Sequence, residues 1–445
     1  MSKTLTVLCL FLLSWTFSVT QLISQEEKTK EQYPNKPEIF FPELSAVLSD
    51  LDKKAPFLEE QRELVMQARS GKMISDSSKG FKIGINAQAH SLHEDRPAQG
   101  FYHKYRVLGS VYLRKPLYHW GALKAASRVS ELSEKNAKME YASLKRSYQS
   151  KTRSDFLDLV ILRYEEELAG ASYALAQQNE LDLTRRRDLG FVSDLTVYES
   201  SLSRLKQAIK LSDLKRKANY QGKVFYLETG YSKGLTFAQT PAFTNFCEKH
   251  VFSGSPPILI SRLSSPELEN LTNQIEKENN LIKIADAELK PKLDLIGAVY
   301  QDQVDLANNT ESLNRNNLLI GIEAKWNIWD SSLSKGKKEA ARSRKRMNEL
   351  SLQRNSRSLR LLIEDLHNQI SSLSEKIEVS RQLVKVADNR YEKSVLEFKQ
   401  NRITPTLHFE ARLTLDESKL DLAKTVSDYL KVRDLYDERT NFNKN

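Results

Sequence analysis

Proline is missing from Leu117 through Thr240 and again from Asp330 to Gln400, where Gly336 is the only glycine. Runs of this length without a helix breaker exclude a loop-punctuated globular domain and leave helix as the conformation that fits. Long apolar stretches are lacking too. The second run carries Arg342, Arg344, Lys345, Arg346, Arg354, Arg357 and Arg360 with Glu349, Glu364 and Asp365, so no window offers the roughly 18 uncharged residues of a membrane helix. Cysteine is scarce: Cys9 lies in an N-terminal apolar segment and only Cys247 stands beyond it, which rules out an internal disulfide in the mature chain. No phosphate loop, nucleophile elbow or metal-ligand spacing occurs, so neither an enzyme nor a cofactor is expected.

What the sequence does contain describes a folded protein. With 445 residues, 40% hydrophobic and 28% charged, it is long enough for two or three ordinary domains and too apolar for disorder. The formal charge of +10 comes from Lys and Arg interleaved with Glu and Asp, and without a nucleic-acid motif it points to no nucleic-acid partner. Met1-Ser2-Lys3, an apolar core from Leu5 to Phe17 and small Ser18 and Thr20 have the layout of a secretory signal peptide, assigned here to 1–24 with a linker over 25–41.

The 330–400 run is expected to be one continuous helix of about 70 residues, ~105 Å at ~1.5 Å per residue. Its apolar residues return three or four apart, at Leu359, Leu362, Ile363, Leu366, Ile370, Leu373, Ile377, Leu383, Val384 and Val386, a stripe suited to partner helices. A turn at Asn401-Arg402-Ile403-Thr404-Pro405 sends the chain back to about Leu435. The earlier run mirrors it. Helix from 117 to Asp188 turns at Leu189-Gly190-Phe191-Val192-Ser193-Asp194, where glycine suits a left-handed residue and Ser193 or Asp194 a cap, and returns to about Asn219.

Before each helical hairpin the period changes from helical to alternating. Ile83, Ile85, Ala87 and Ala89 alternate with Lys82, Gly84, Asn86, Gln88 and His90, and Tyr105, Val107, Gly109, Val111 and Leu113 alternate with Arg106, Leu108, Ser110, Tyr112 and Arg114. Two strands joined by a polar loop around Glu94 to Gly100 are predicted, of a length suited to a tilted transmembrane β-strand. A shift of about 210 residues carries Pro56 onto Pro266, Lys82-Ile83 onto Lys292-Leu293 and Gly190 onto Asn401 within a residue. Strand parity survives the shift: Leu293, Leu295, Gly297 and Val299 share a face, as do Leu318, Ile320, Ile322 and Ala324. The chain therefore divides into a first repeat over 42–220 (β-hairpin 82–115, helical hairpin 117–220), a Gly-, Pro- and aromatic-rich connector over 221–264, a second repeat over 265–436 (β-hairpin 292–328, helical hairpin 330–436) and a tail over 437–445. Four strands cannot close a barrel, since the smallest membrane barrels need about eight. Oligomerisation would close it.

On these residues the chain resembles the TolC-type outer membrane channels, the outer membrane factors of tripartite efflux pumps and type I secretion systems. Pro291-Lys292-Leu293 opening a strand, Lys325-Trp326-Asn327-Ile328-Trp329-Asp330 passing from strand to long helix, and the tip Gly190-Phe191-Val192-Ser193-Asp194-Leu195 with Glu199 carry the resemblance, and Asn401-Arg402-Ile403-Thr404-Pro405-Thr406 is a looser copy of the tip. The resemblance implies a mainly α fold with a membrane β-barrel part, a homotrimer with a twelve-stranded barrel in outer membrane lipid and a periplasmic α-helical tunnel. It further implies a Gram-negative outer membrane location, no catalysis, and partnership with a periplasmic adaptor (membrane fusion protein) and an inner-membrane pump. By that resemblance Leu189, Gly190 and Phe191 match an adaptor-gripping tip, while Asn401 and Arg402 stand where the second would be and lack the glycine. Glu410 falls where an acid of the closed aperture would lie, with His408 and Arg402 nearby.

Other features stay outside that account. His90, His93 and His103 are close in sequence, but His90 belongs to the polar strand face and the other two to a loop or its border, which argues against a metal site. Arg185-Arg186-Arg187 forms a charge run beside the first tip, and Asn308-Asn309-Thr310 fits a glycosylation sequon that marks a surface loop. The alternative architecture is a periplasmic coiled-coil scaffold or adaptor without a barrel, which has no need for four strands of matched parity.

Overall fold

The computed structural model describes residues 36–96, 100–231, 234–235, 240–249, 265–305 and 312–440. The signal peptide, most of the linker after it and the sequon lie outside them. The element order is α1 (Pro42–Lys54), α2 (Pro56–Ser77), β1 (Lys82–Arg96), β2 (Gly100–Tyr118), α3 (Ala122–Asp188), α4 (Asp194–Thr229), α5 (Thr240–Lys249), α6 (Pro266–Ala287), β3 (Lys292–Asp305), β4 (Ser312–Lys325), α7 (Leu333–Lys399) and α8 (Pro405–Thr440). Equivalent helices have equal lengths in the two repeats: α2 and α6 are 22 residues each, α3 and α7 are 67, and α4 and α8 are 36. Proline opens α1, α6 and α8, where its missing N–H costs nothing.

The chain falls into two compact units. One comprises Glu60–Ser143 and Ser264–Leu359 and contains the four strands found among the described residues. They form a single antiparallel sheet in the order β1-β2-β3-β4, so the two hairpins are not separate: β2 pairs with β3, with Val111 opposite Val299 and Leu113 opposite Gly297. A bulge between Pro116 and Tyr118 marks where proline has no N–H to give the ladder. Both strand ends run past the sequence expectation, since β1 continues through Glu94 to Arg96 and β2 through Pro116 to Tyr118. At the exit of each hairpin two consecutive residues turn left-handed, Trp120 and Gly121 in the first repeat and Ser331 and Ser332 in the second. The helices beside the sheet are tied largely by polar contacts: Ser127 to Asp76 (2.5 Å), Asn273 Nδ2 to Asn136 Oδ1 (2.7 Å), Arg128 to Glu276 (2.7 Å) and Arg344 to Glu278 (3.0 Å).

The other unit holds the residues up to Glu59, Leu144–Leu263 and Arg360–Asn445. Its core is apolar and aromatic. Phe41 packs edge-on against Phe156 at 5.2 Å and lies 5.4 Å from Phe243, and Phe156 lies 6.2 Å from Phe225. Leu44, Val47, Leu51 and Leu58 are buried with them, as are Val426, Tyr429 and Leu430 on α8. Helix α5, from the stretch between repeats, is seated by Phe243 and by Arg381, whose guanidinium donates two 3.0 Å bonds to the Cys247 carbonyl. Cys247 is buried, and that burial pushes its thiol up out of the reactive range. Helix α4 does not stop near Asn219 but runs through Gly222 to Gly230, whose left-handed conformation (φ 66°) forms the cap. A Cβ at Gly230 would sit 2.2 Å from the Lys54 carbonyl oxygen.

One charge joins three segments of this unit. The Arg153 side chain, 14% exposed, reaches Glu38 at 2.7 Å and Asp434 at 3.3 Å. Burial opposes its charge, but the Asp434 and Glu38 carboxylates more than offset that and raise its pKa. Removing one member of a buried charged cluster leaves the others uncompensated. Arg153→Met is expected to destabilise this unit by about 3 kcal/mol, read as an earlier helical transition in a circular-dichroism melt, whereas Arg163→Met, which loses only an intrahelical pair with Glu166, should shift the melt little.

Candidate functional site

Two features of the fold offer surfaces for function, the sheet and the helix tips. On the sheet, alternation and register act together. Ile83, Ile85, Ala87 and Ala89 stand opposite Leu113, Val111, Gly109 and Val107, and Leu295, Gly297 and Val299 continue the same face across to Ile322, Ile320 and Leu318. That face is bare: Ile85 is 79% exposed, Val107 73% and Ile320 75%. Contiguous apolar exposure on this scale marks a surface that meets lipid or another protein. Aromatic side chains border it where the strands meet the helices, with Phe81, Tyr118, Trp120, Trp326 and Trp329 all exposed. Trp120 Nε1 donates to the Pro291 carbonyl (2.7 Å) and Trp326 Nε1 to the Leu289 carbonyl (3.0 Å), so each indole has its polar edge satisfied, and the Trp120 ring carries Lys290 Nζ 5.0 Å from its centroid. Tyr105 and Phe101 stand towards the far border.

The opposite face is polar along β1 and near the helices, with Leu108, Ile296, Ala298 and Leu319 set among its polar residues on β2, β3 and β4. Asp294 and Glu323 are directly paired across β3 and β4, two carboxylates that would repel each other. Arg114 from β2 bridges both, and His119 Nε2 lies 2.7 Å from Asp294 Oδ1. The two repeats are thus joined by backbone pairing on one level and by this cluster on the next. Among the described residues no strand pairs along the outer sides of β1 and β4.

At the helix tips the two repeats have the same backbone. Leu189 N–H donates to Arg185 O, Gly190 N–H to Arg187 O and Phe191 N–H to Arg186 O; in the second repeat Gln400 N–H donates to Leu396 O, Asn401 N–H to Phe398 O and Arg402 N–H to Glu397 O. Each set is a Schellman closure of the long helix around a left-handed residue, Gly190 at φ 77° and Asn401 at φ 55°. The returning helices are capped alike, Ser193 Oγ accepting from Thr196 N–H and Thr404 Oγ1 from Leu407 N–H. Asn401, the one position lacking the expected glycine, adopts the turn all the same.

Only the side chains differ. The first tip presents Leu189, Phe191 and Leu195, with Phe191 76% exposed, while the second presents Asn401 and Arg402. Arg186 is held by Asp182 at 3.0 Å and Arg187 by Asp188 at 2.6 Å, leaving Arg185 exposed beside them. His408 is turned inward onto α7, stacked between Tyr391 (5.5 Å) and Phe398 (5.0 Å) with Nδ1 3.2 Å from Ser394 Oγ. Glu410 is exposed on the first turns of α8, so the structure does not bring these two neighbours together. The sequence pattern contained no signal for the Tyr391, Phe398 and His408 stack, because its members come from two helices.

His93 and His103 are not in or beside a loop; both lie within strands and face each other in register, whereas His90 occupies the polar face. Among the described residues no helix is long and apolar enough to cross a membrane.

No protein-family model matches the sequence, and no curated protein matches it. Solved structures do share its fold. The Campylobacter jejuni CmeC outer membrane channel superposes with a TM-score of 0.72 at 15% identity, covering 89% of this chain and 85% of its own. The outer membrane protein VceC of Vibrio cholerae gives 0.67 at 13% identity over 89% and 95%, and the open state of the Neisseria gonorrhoeae MtrE outer membrane channel 0.65 at 12% over 89% and 88%. The chain has the fold of these channels.

Left-handed backbone costs a β-branched residue about 1–2 kcal/mol and glycine nothing. Asn401→Gly is therefore expected to preserve the second tip and Asn401→Val to loosen it, seen as faster cleavage near residue 401 in limited proteolysis with the first tip unchanged.

Proposed function

We propose that this protein is an outer membrane channel of a Gram-negative bacterium, a passive exit duct that serves a tripartite efflux pump or a type I secretion system. The observation that carries the proposal is the single sheet with one bare apolar face and one polar face, bordered by aromatics, in a chain with the fold of outer membrane channels. Each Ile, Val or Leu of that face would gain about 1.5–3 kcal/mol on leaving water, and lipid is the environment that supplies this along a whole strand. The polar face then lines the pore.

The open edges support a homotrimer: three copies of four strands supply twelve, and the outer sides of β1 and β4 find partners in neighbouring copies. Helical surfaces support the same assembly. Leu195, Tyr198, Leu202, Leu205 and Ile209 form an exposed stripe on α4, and Val379, Leu383 and Val386 one on α7, beside the stripe of Ile363, Leu366, Ile370, Ile377 and Val384 that is already buried within the chain. Exposed stripes at three- and four-residue spacing are seams for further helices.

The helix tips are the docking points for a periplasmic adaptor, which joins the duct to an inner-membrane pump that supplies the energy. Leu189, Gly190 and Phe191 offer an apolar grip and Asn401 and Arg402 a polar one, so an adaptor distinguishes the two tips by side chain over a common backbone. Glu410, exposed behind the second tip, faces the passage and favours cations there. Whether the cargo is a small molecule or a protein is decided by the adaptor and pump. A coiled-coil scaffold without a barrel is disfavoured because it gives the bare sheet face no solvent.

Protein purified from outer membranes and reconstituted in planar bilayers should show discrete conductance steps, and Glu410→Gln should lower cation preference and weaken block by polyvalent cations. An absence of conductance would contradict the channel, while conductance indifferent to Glu410→Gln would remove Glu410 from the aperture and leave the channel standing.

A further inference from the structure

The first hairpin carries a pair of imidazoles that the channel does not use. His93 and His103 are direct cross-strand partners near the end of the sheet remote from the helices, with ring centroids 4.3 Å apart. Both point at one spot. Ser91 Oγ lies 2.8 Å from His103 Nε2 and 3.3 Å from His93 Nε2, so the two nitrogens converge on a single oxygen. All three side chains are exposed, and Tyr105 packs edge-on against His103 at 4.7 Å, holding one ring in place. A hydroxyl has one proton to donate and can serve the lone pair of only one of the two nitrogens.

We propose that His93 and His103 bind a divalent transition-metal ion of the imidazole-preferring class, such as Zn2+, Ni2+ or Cu2+. Two convergent imidazole nitrogens are half of a tetrahedral shell, and this is the ligand type those ions take. An ion near the present position of Ser91 Oγ needs each nitrogen to close in by about an ångström to reach the ~2.0–2.1 Å of a metal–imidazole bond, a small swing for exposed rings. Water, or the Ser91 hydroxyl once swung aside, completes the shell, with Asp95 on the same face two residues beyond His93. Among the described residues no group of three His, Cys, Asp or Glu side chains converges, so the site keeps solvent positions open and its ion exchanges.

The second repeat lacks the site. Its equivalent register pair is Gln303 opposite Asn314, amides that do not replace imidazole for these metals. One ion per chain is therefore expected. His90, on the other face of β1, serves as an internal control.

The test uses full-length, tag-free, chelator-treated protein in detergent, titrated calorimetrically with Zn2+ and followed with Cu2+ by electron paramagnetic resonance. The parent protein and His90→Ala should bind one ion per chain, with coupling to two nitrogens in the copper spectrum, and His93→Ala and His103→Ala should each weaken binding by at least about tenfold. Circular dichroism of the variants verifies that they are folded. The proposal is overturned by an absence of saturable binding, by binding that survives either substitution, or by an equal loss in His90→Ala.

Discussion

A β-sheet leaves a row of N–H and C=O groups unpaired along each outer strand, and the rest of this molecule is arranged around that requirement. In water those groups are solvated at little cost, but in lipid each unpaired one costs several kcal/mol, which is why only closed sheets cross membranes. Here the outer strands β1 and β4 span 15 and 14 residues, and they carry an apolar face that water does not favour. Neither solvent suits the sheet alone. In the proposed channel, pairing with further copies would satisfy the edges and lipid would then take the apolar face, so that closure and membrane insertion are two parts of one solution.

Duplication makes that solution economical. One repeat supplies a hairpin, a hinge of two left-handed residues and a long helical pair closed by a Schellman turn; the second supplies the same parts with different side chains. Where the repeats meet, β2 and β3 pair, and Arg114 of the first neutralises the Asp294 and Glu323 pair of the second. The side chains differ at positions the backbone does not need, such as the tip residues Phe191 and Arg402 and the register pairs His93 with His103 and Gln303 with Asn314. A common frame can thus present distinct surfaces to distinct ligands.

Much of this is legible in the order of residues. The strand faces follow from alternation, because a period of two leaves no freedom about which side Ile83 or Ile320 takes. Both tips are visible, since Gly190 favours the left-handed turn and Asn401 tolerates it. Helix lengths follow from the missing prolines. What the pattern does not show are contacts between distant segments: the pairing of β2 with β3, the Arg153 cluster with Glu38 and Asp434, and the stack of His408 between Tyr391 and Phe398. Gly222 suggests an end to the returning helix near Asn219, yet an interior glycine costs a helix only about 1 kcal/mol, and packing carries α4 on to Gly230. At His93 and His103 the apolar alternation fades and suggests a loop, although the ladder continues.

The number of copies in the detergent-solubilised particle tests the central claim most directly. Native mass measurement should give three chains, the number at which strands in fours make a twelve-stranded closed sheet. A single-chain particle would leave β1 and β4 without partners and contradict the barrel, and a particle of two chains would contradict the twelve-stranded closure.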